Sequence, residues 1–268
     1  MGRSVIVPDL HRGPVLRGLG LLLVGVLLFG PWVSWALGIL GAGPHAVFMP
    51  VAYKAPGVAP TPTPKAMFYD PFDDPNSGWP RSDEGDWSVD YVNGEYQILI
   101  RAPSMYVGVT PGVRCTDCAV EVDGRFASPS YGAWGILFGI TDMWDAYLFR
   151  VDGEQRFSLY SRSGATWRAL VDWTPSTQIL PGQATNRLRV ERRGTTISLY
   201  ANGQHLQTIA HDSFAGNLRV GATASAYESA NVDVRLDDYK VYAMSGAPES
   251  ERPGVAVSMI DRAREAER

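Results

Sequence analysis

The chain has 268 residues, 45% hydrophobic and 19% charged, enough for one large domain with a proper core plus appendages, and not the composition of a disordered protein. Glycine and proline are plentiful (28 and 19), aromatic residues reach 11%, and the basic residues are nearly all arginine, as suits an all-β chain with many turns. The formal charge is −4, but residues 67–243 carry 22 acidic against 15 basic side chains, and that surface, with no basic stripe, argues against a nucleic-acid partner.

Residues 1–17 carry Arg3, Arg12 and Arg17, and no further Asp, Glu, Lys or Arg appears until Lys54. Within that gap residues 18–40 are almost wholly apolar. At ~1.5 Å of rise per residue the run is just long enough for the ~30 Å hydrocarbon core, so a single transmembrane helix is expected there. The arginines precede the span, which places residues 1–17 in the cytoplasm and the rest outside a bacterial plasma membrane. A cleaved signal peptide is the rival, with Ala36-Leu37-Gly38 or Gly41-Ala42-Gly43 as small residues for a peptidase. The run exceeds an h-region of about 7–15 residues, which favours an uncleaved anchor. Lipoprotein processing needs a cysteine directly after the run, and the first is Cys115. Residues 41–66 form a juxtamembrane stalk, in which Pro56, Pro60, Pro62 and Pro64 favour an extended, semi-rigid spacer at ~3.1 Å per residue.

Residues 67–243 form the folded domain. β-type runs are expected at Trp87–Val92, Tyr96–Arg101, Met105–Thr110, Ala119–Phe126, Ala133–Ile140, Asp145–Val151, Gln155–Tyr160, Thr166–Trp173, Asn186–Arg192, Thr196–Tyr200, His205–Ala210, Leu218–Ala224 and Val232–Tyr242. Turn pairs punctuate them: Asn93-Gly94, Asp152-Gly153, Arg193-Gly194 and Asn202-Gly203. In the run to Val151, Tyr147, Phe149 and Val151 face a core, while Ala146, Leu148 and Arg150 face the other way. No window shows a helical apolar period, so an antiparallel two-sheet jelly-roll sandwich is expected. Residues 244–268 read as a polar tail whose end, SMIDRAREAER, offers at most a short exposed helix capped by Ser258.

The order FYDPFDDPNSGWP, YVNGEYQILI, AVEVDGRF, YGAWGILFGITDMWDAYLFRVD, FSLYSRSGATWRALVDW, TNRLRVERRGTTISLYANGQHLQTI and VRLDDYKVY resembles the concanavalin A-like lectin/glucanase superfamily, in particular the laminin-G-like and family-16-glycosidase-like jelly rolls of bacterial surface proteins. The likeness covers essentially all of residues 67–243 and lies in strands and turns, so it implies fold well and function weakly. Such domains usually bind glycans on a concave sheet face or at a loop rim. Family-16 glucanases use a Glu-x-Asp-x-x-Glu strand motif whose carboxylates serve as nucleophile and acid/base. The nearest match is Glu121-Val122-Asp123-Gly124-Arg125-Phe126, with Phe126 where the acid/base must stand. Glu121 and Asp123 are expected as the solvent side of a strand.

For sugar binding the useful chemistry is an aromatic plate flanked by planar hydrogen-bonding groups. Candidates are Trp144 with Asp142 and Asp145, Arg150 and Tyr160, and Trp167 and Trp173 with Arg162 and Asp172; about half of the aromatics are expected to be buried, and Trp79, Trp87 and Trp134 belong to the core. Asp70, Asp73, Asp74 and Asn76 offer oxygen ligands for a structural calcium, with Asp237-Asp238 near by if first and last strands are neighbours, although turn-forming side chains give the same pattern more often. Cys115-Thr116-Asp117-Cys118 is expected as a local disulfide rather than a redox or zinc motif. His205 and His211 stand too far apart along one strand to share a metal.

The first expectation for function is recognition of a polysaccharide or cell-envelope glycan without catalysis. An accessory subunit docking on partner membrane proteins is the second, with Gly18, Gly20, Gly25 and Gly30 as a packed side of the span. A glycoside hydrolase is the third, and Phe126 weighs against it.

Overall fold

The structure is a computed structural model describing residues 65–128, 132–228 and 230–244, with the backbone of residues 257–262. The expected span over residues 18–40 and nearly all of the stalk lie outside the described residues, among which no helix is long and apolar enough to cross a membrane. The described chain is all β. In order its strands are β1 (Phe68–Asp70), β2 (Ser82–Asp83), β3 (Trp87–Val92), β4 (Glu95–Ile100), β5 (Met105–Thr110), β6 (Arg114–Cys115), β7 (Cys118–Phe126), β8 (Gly132–Ile140), β9 (Ala146–Asp152), β10 (Arg156–Ser163), β11 (Thr166–Pro175), β12 (Asn186–Arg193), β13 (Thr196–Ala201), β14 (Gln204–Ala210), β15 (Leu218–Ala226), β16 (Val232–Ala243) and β17 (Val257–Arg262). Every expected run falls on one of these, with ends shifted by three residues at most.

Two antiparallel sheets form a sandwich. Sheet A runs β14-β13-β12-β7-β16-β4-β3-β2, with β1 pairing on β16; sheet B runs β11-β10-β9-β8-β15-β5-β17, with β6 pairing on β15. The first described strand is thus neighbour to β16, through Phe68↔Val241 and Asp70↔Tyr239. β17 replaces the expected helix at Ser258. It pairs with β5 from Val257↔Thr110 to Arg262↔Met105, so the folded unit extends past Ala243. Without it β5 would be a sheet edge, and a row of unpaired backbone groups holds a strand more firmly than a short isolated helix holds itself.

The turns follow their chemistry. Asn93 and Gly94 (φ 56° and 78°) and Asn202 and Gly203 (52° and 78°) both take the left-handed pair that a two-residue hairpin demands. Asp152-Gly153 does not form the expected two-residue turn. The loop is Gly153–Gln155, its left-handed residue is Gln155 (φ 62°), and the Asp152 carboxylate accepts the Glu154 and Arg156 amides at 3.0 Å each. A carboxylate able to cap both amides favours the longer loop.

The core lies between the sheets. Val120, Val122, Phe126, Leu188, Val190, Val234 and Leu236 from sheet A meet Trp134, Ile136, Phe138, Tyr147, Phe149, Val151 and Leu159 from sheet B, all essentially buried. Each side chain of this kind contributes about 1.5–3 kcal/mol on burial. Gly124 is required by that packing: a Cβ there would sit 2.4 Å from the Trp134 ring. Trp79 and Trp87 are buried as well, Trp79 among Phe72, Tyr96 and Tyr239 at ring distances of 4.8–5.3 Å.

Candidate functional site

Each sheet has one face on the core and one facing away from it, and the two outward faces differ. On sheet A the outward residues of β7 alternate with core residues, as the strand period requires. They belong to a lattice of opposite charges: across strands Arg187 reaches Asp123 with two nitrogens (2.7 and 2.6 Å), Arg125 reaches Glu95 (2.8 Å) and Arg189 reaches Glu121 (3.5 Å), while along single strands Arg189 reaches Glu191 (2.8 Å) and Arg235 reaches Asp233 (2.9 Å). Asp237 lies opposite Asp123 in the ladder, and burial pushes its carboxyl above the usual range. Glu121 and Asp123, the carboxylates of the glucanase-like motif, are therefore members of an ion lattice, and Phe126 lies in the core.

On sheet B the outward face is apolar and aromatic, where one core-facing side and one plainly polar side would be the simpler outcome of alternation. Tyr106, Leu137, Ile140, Ala146, Leu148 and Tyr160 form a second buried cluster, with half-buried Trp144 and Trp167 packed on it. Arg150 points to this side from β9 and is 1% exposed. Its guanidinium carbon lies 5.1 Å from the Tyr160 ring centre, 5.5 Å from Trp173 and 5.8 Å from Trp167, and its Nη1 donates to Ser225 Oγ at 3.1 Å. The row beneath it is built of small residues, Thr223, Gly135 and Ser158, at matched register. Tyr106 and Trp167 stand on β5 and β11, five strand spacings apart, or about 24 Å in a flat sheet. Their rings lie 5.4 Å apart edge to face, so the sheet curls toward this side. The curl leaves Arg150 and Tyr160 buried, with Trp144, Trp167 and Trp173 half-buried around them. Among the described residues no tryptophan is fully exposed.

The candidate sugar-binding residues thus divide. Arg150, Tyr160, Trp167 and Trp173 gather at one place, with Asp172 accepting from Tyr160 Oη at 3.3 Å. Trp144, Asp142 and Asp145 sit on the β8–β9 loop at one rim. Asp142 is exposed and paired with Arg114 at 2.8 Å, which holds its carboxyl below the usual range. Asp145 is turned to structure, accepting the Gly164 amide at 2.6 Å. Arg162 donates to the Trp144 carbonyl at 3.1 Å and lies 5.9 Å from the Trp167 ring. Tyr106, Arg156 and Arg219 belong to the same neighbourhood and escape a sequence reading: Tyr106 sits in a run, MYVGVT, buried on both parities, where alternation cannot assign a face.

The remaining candidates lie elsewhere. Asp70 is buried, accepting the Phe72 amide at 2.8 Å and the Ser77 hydroxyl, and Asp74 accepts the Asn76 amide at 2.9 Å; both act as turn-forming carboxylates. Asp73 lies beside Gly94. Among the described residues no group of three or more His, Cys, Asp or Glu is arranged to hold a metal. Tyr69 donates to Asp238 at 2.6 Å, which pushes the phenol up to about 12. Cys115 and Cys118 are joined as a buried disulfide with Cα atoms 6.0 Å apart. His205 bonds Thr208 at 2.8 Å and His211 bonds Tyr147 at 2.7 Å.

No protein-family model matches the sequence, and no curated protein matches it either. The fold has many solved counterparts, among them concanavalin A-like lectin/glucanase jelly rolls at low identity. A Bacillus licheniformis beta-glucanase is 12% identical over 66% of this chain and 98% of its own, with a TM-score of 0.52. SCLam, a non-specific endo-beta-1,3(4)-glucanase of family GH16, is 11% identical over 67% of this chain and 91% of its own, with a TM-score of 0.51. A Bacillus subtilis protein of unknown function with a galectin-like fold is 12% identical over 71% and 99%, with a TM-score of 0.50.

Proposed function

We propose that the chain is a membrane-anchored, extracytoplasmic glycan-binding module that binds without cutting. The observation that carries this reading is the convergence of Tyr160, Trp167 and Trp173 on Arg150 across the curled face of sheet B. Indole plates such as those of Trp167 and Trp173 accept the apolar C–H face of a pyranose, and the more accessible planar groups of Arg162 and Asp172 fit pairs of its hydroxyls. Half-buried tryptophans supply contact area, and the buried arginine fixes their spacing. The glucanase-like carboxylates are on the other sheet and committed to arginines, which supports binding over hydrolysis. Arg3, Arg12 and Arg17 followed by the apolar run over residues 18–40 support an anchor with the domain outside. The large exposed apolar side chains among the described residues, Tyr69, Met143 and Leu180, belong to three separate segments of the chain, which lends the subunit alternative no support.

The test is a glycan array probed with the full-length chain in mild detergent, with and without calcium. The whole chain is used because ending it at Ala243 would strip β17 from β5. Binding that is lost on Trp167→Ala with the circular dichroism unchanged supports the reading. A clean negative across envelope and plant polysaccharides contradicts it.

A further inference from the structure

The loop between β8 and β9 departs from the chemistry of its own class. Thr141 N–H donates to Asp145 O at 2.9 Å and Trp144 N–H to Thr141 O at 3.0 Å, leaving a three-residue loop, Asp142–Trp144. In such a hairpin a turn is followed by a left-handed residue, and glycine is preferred there because a Cβ crowds the following carbonyl. This chain places Trp144 at that position, with φ +62°. It uses Gly164, Gly194 and Gly203 at left-handed sites of other hairpins. The other left-handed aromatic, Phe72, is fully buried among aromatic rings, so packing accounts for it. Trp144 is only half-buried, and packing accounts for it less well. A bulky residue persists in this conformation where its surroundings over-determine it.

The surroundings here are the second buried cluster, on which the ring packs, and two arginines. Arg219, buried on β15, donates Nη2 to Thr141 O at 2.5 Å and lays its guanidinium carbon 5.0 Å from the Trp144 ring centre. Arg162 on β10 donates to Trp144 O at 3.1 Å. Thr141 Oγ1 accepts the Asp145 amide at 3.0 Å, which closes the loop from within. The indole is thus backed by a guanidinium and stays half-buried, and its neighbour in the loop, Met143, is 82% exposed.

We propose that Trp144 is the contact plate through which this rim selects its ligand, and that Arg219 is the positioning residue that holds the plate in place. The proposal deepens the glycan-binding reading and rests on it. A residue kept for contact is costly to the loop and valuable to the site, so stability and binding respond in opposite directions when it is replaced.

The experiment uses the full-length chain in mild detergent, with soluble hexasaccharides of glucose, galactose, mannose and N-acetylglucosamine as probes. Trp144→Gly is expected to leave the thermal midpoint unchanged or raised, because glycine suits the left-handed backbone, while affinity for the bound probe falls at least ~10-fold. Arg219→Met is expected to weaken binding ~10-fold in the unaltered background and not at all in the Trp144→Gly background, because a residue acting through another is not additive with it. Arg219→Lys recovers part of the loss. A midpoint lowered by about 10 °C in Trp144→Gly, as for a lost core tryptophan, overturns the proposal. So does an Arg219→Met effect that persists without Trp144. Probe binding that Trp144→Gly leaves intact overturns this proposal alone, whereas an unaltered chain that binds no probe overturns the glycan reading together with it.

Discussion

On sheet A the outward residues of β7, β12 and β16 are ions that meet one another, Arg187 with Asp123 and Arg235 with Asp233, and remain partly in water. On sheet B the outward residues Leu148 and Arg150 of β9 and Ser158 and Tyr160 of β10 are buried, and three aromatic rings gather on the Arg150 guanidinium. Both faces come from the same period-two alternation, so alternation does not distinguish a solvated surface from a site. Curvature does. The sheet whose distant strands bring Tyr106 and Trp167 into contact is the one that gathers its arginine and tryptophans. The lesson for reading carboxylates is direct: Glu121 and Asp123 carry a suggestive spacing, and their partners Arg189 and Arg187 show them to be ordinary members of a charged face.

The difference can be attacked from the buried side first. Arg150→Ala removes a buried cation from three rings and should destabilise the fold by about 3 kcal/mol or more in urea denaturation. A loss below about 1 kcal/mol would mean that Arg150 behaves like the surface arginines of sheet A. The two sides of β7 offer the next contrast. Gly124→Ala drives a methyl against the Trp134 ring and should cost about 1–3 kcal/mol. Its outward neighbour is held by Arg187, whose side chain is 46% exposed, so Arg187→Ala should cost under about 1 kcal/mol and leave glycan binding unchanged. The smallest effect is expected at Tyr69. Its folded pKa is raised to about 12 by the bond to Asp238, so its contribution is complete below the ordinary tyrosine value near 10 and disappears as pH rises through about 12. Tyr69 is 52% exposed, so solvent keeps this contribution under about 1 kcal/mol. Tyr69→Phe should flatten the stability profile between pH 10 and 12, and an unchanged profile would show that another group titrates there.

The strands of the domain were legible because apolar alternation and Asn-Gly turns are local signals. β17 was not. SMIDRAREAER has helical residue preferences, and its pairing with β5 depends on which strand the topology leaves at the edge of sheet B. Within the candidate site, Arg150, Tyr160, Trp167 and Trp173 were legible as residue types with useful chemistry, and their meeting was not, because it comes from the curl of the sheet. Asp145 carried the right chemistry and spends it on the Gly164 amide. Arg219 was invisible for the same reason as β17: the contact that gives it meaning, with Trp144, joins β15 to a loop distant in sequence.

The contrast between the two faces is tested most directly by hydroxyl-radical footprinting of the full-length chain with and without a glycan identified on the array. Protection is expected at Trp144, Trp167 and Trp173, with no change at Tyr69, Tyr200 and Tyr242 of sheet A. Protection of the sheet A tyrosines with the three tryptophans unchanged would contradict that contrast.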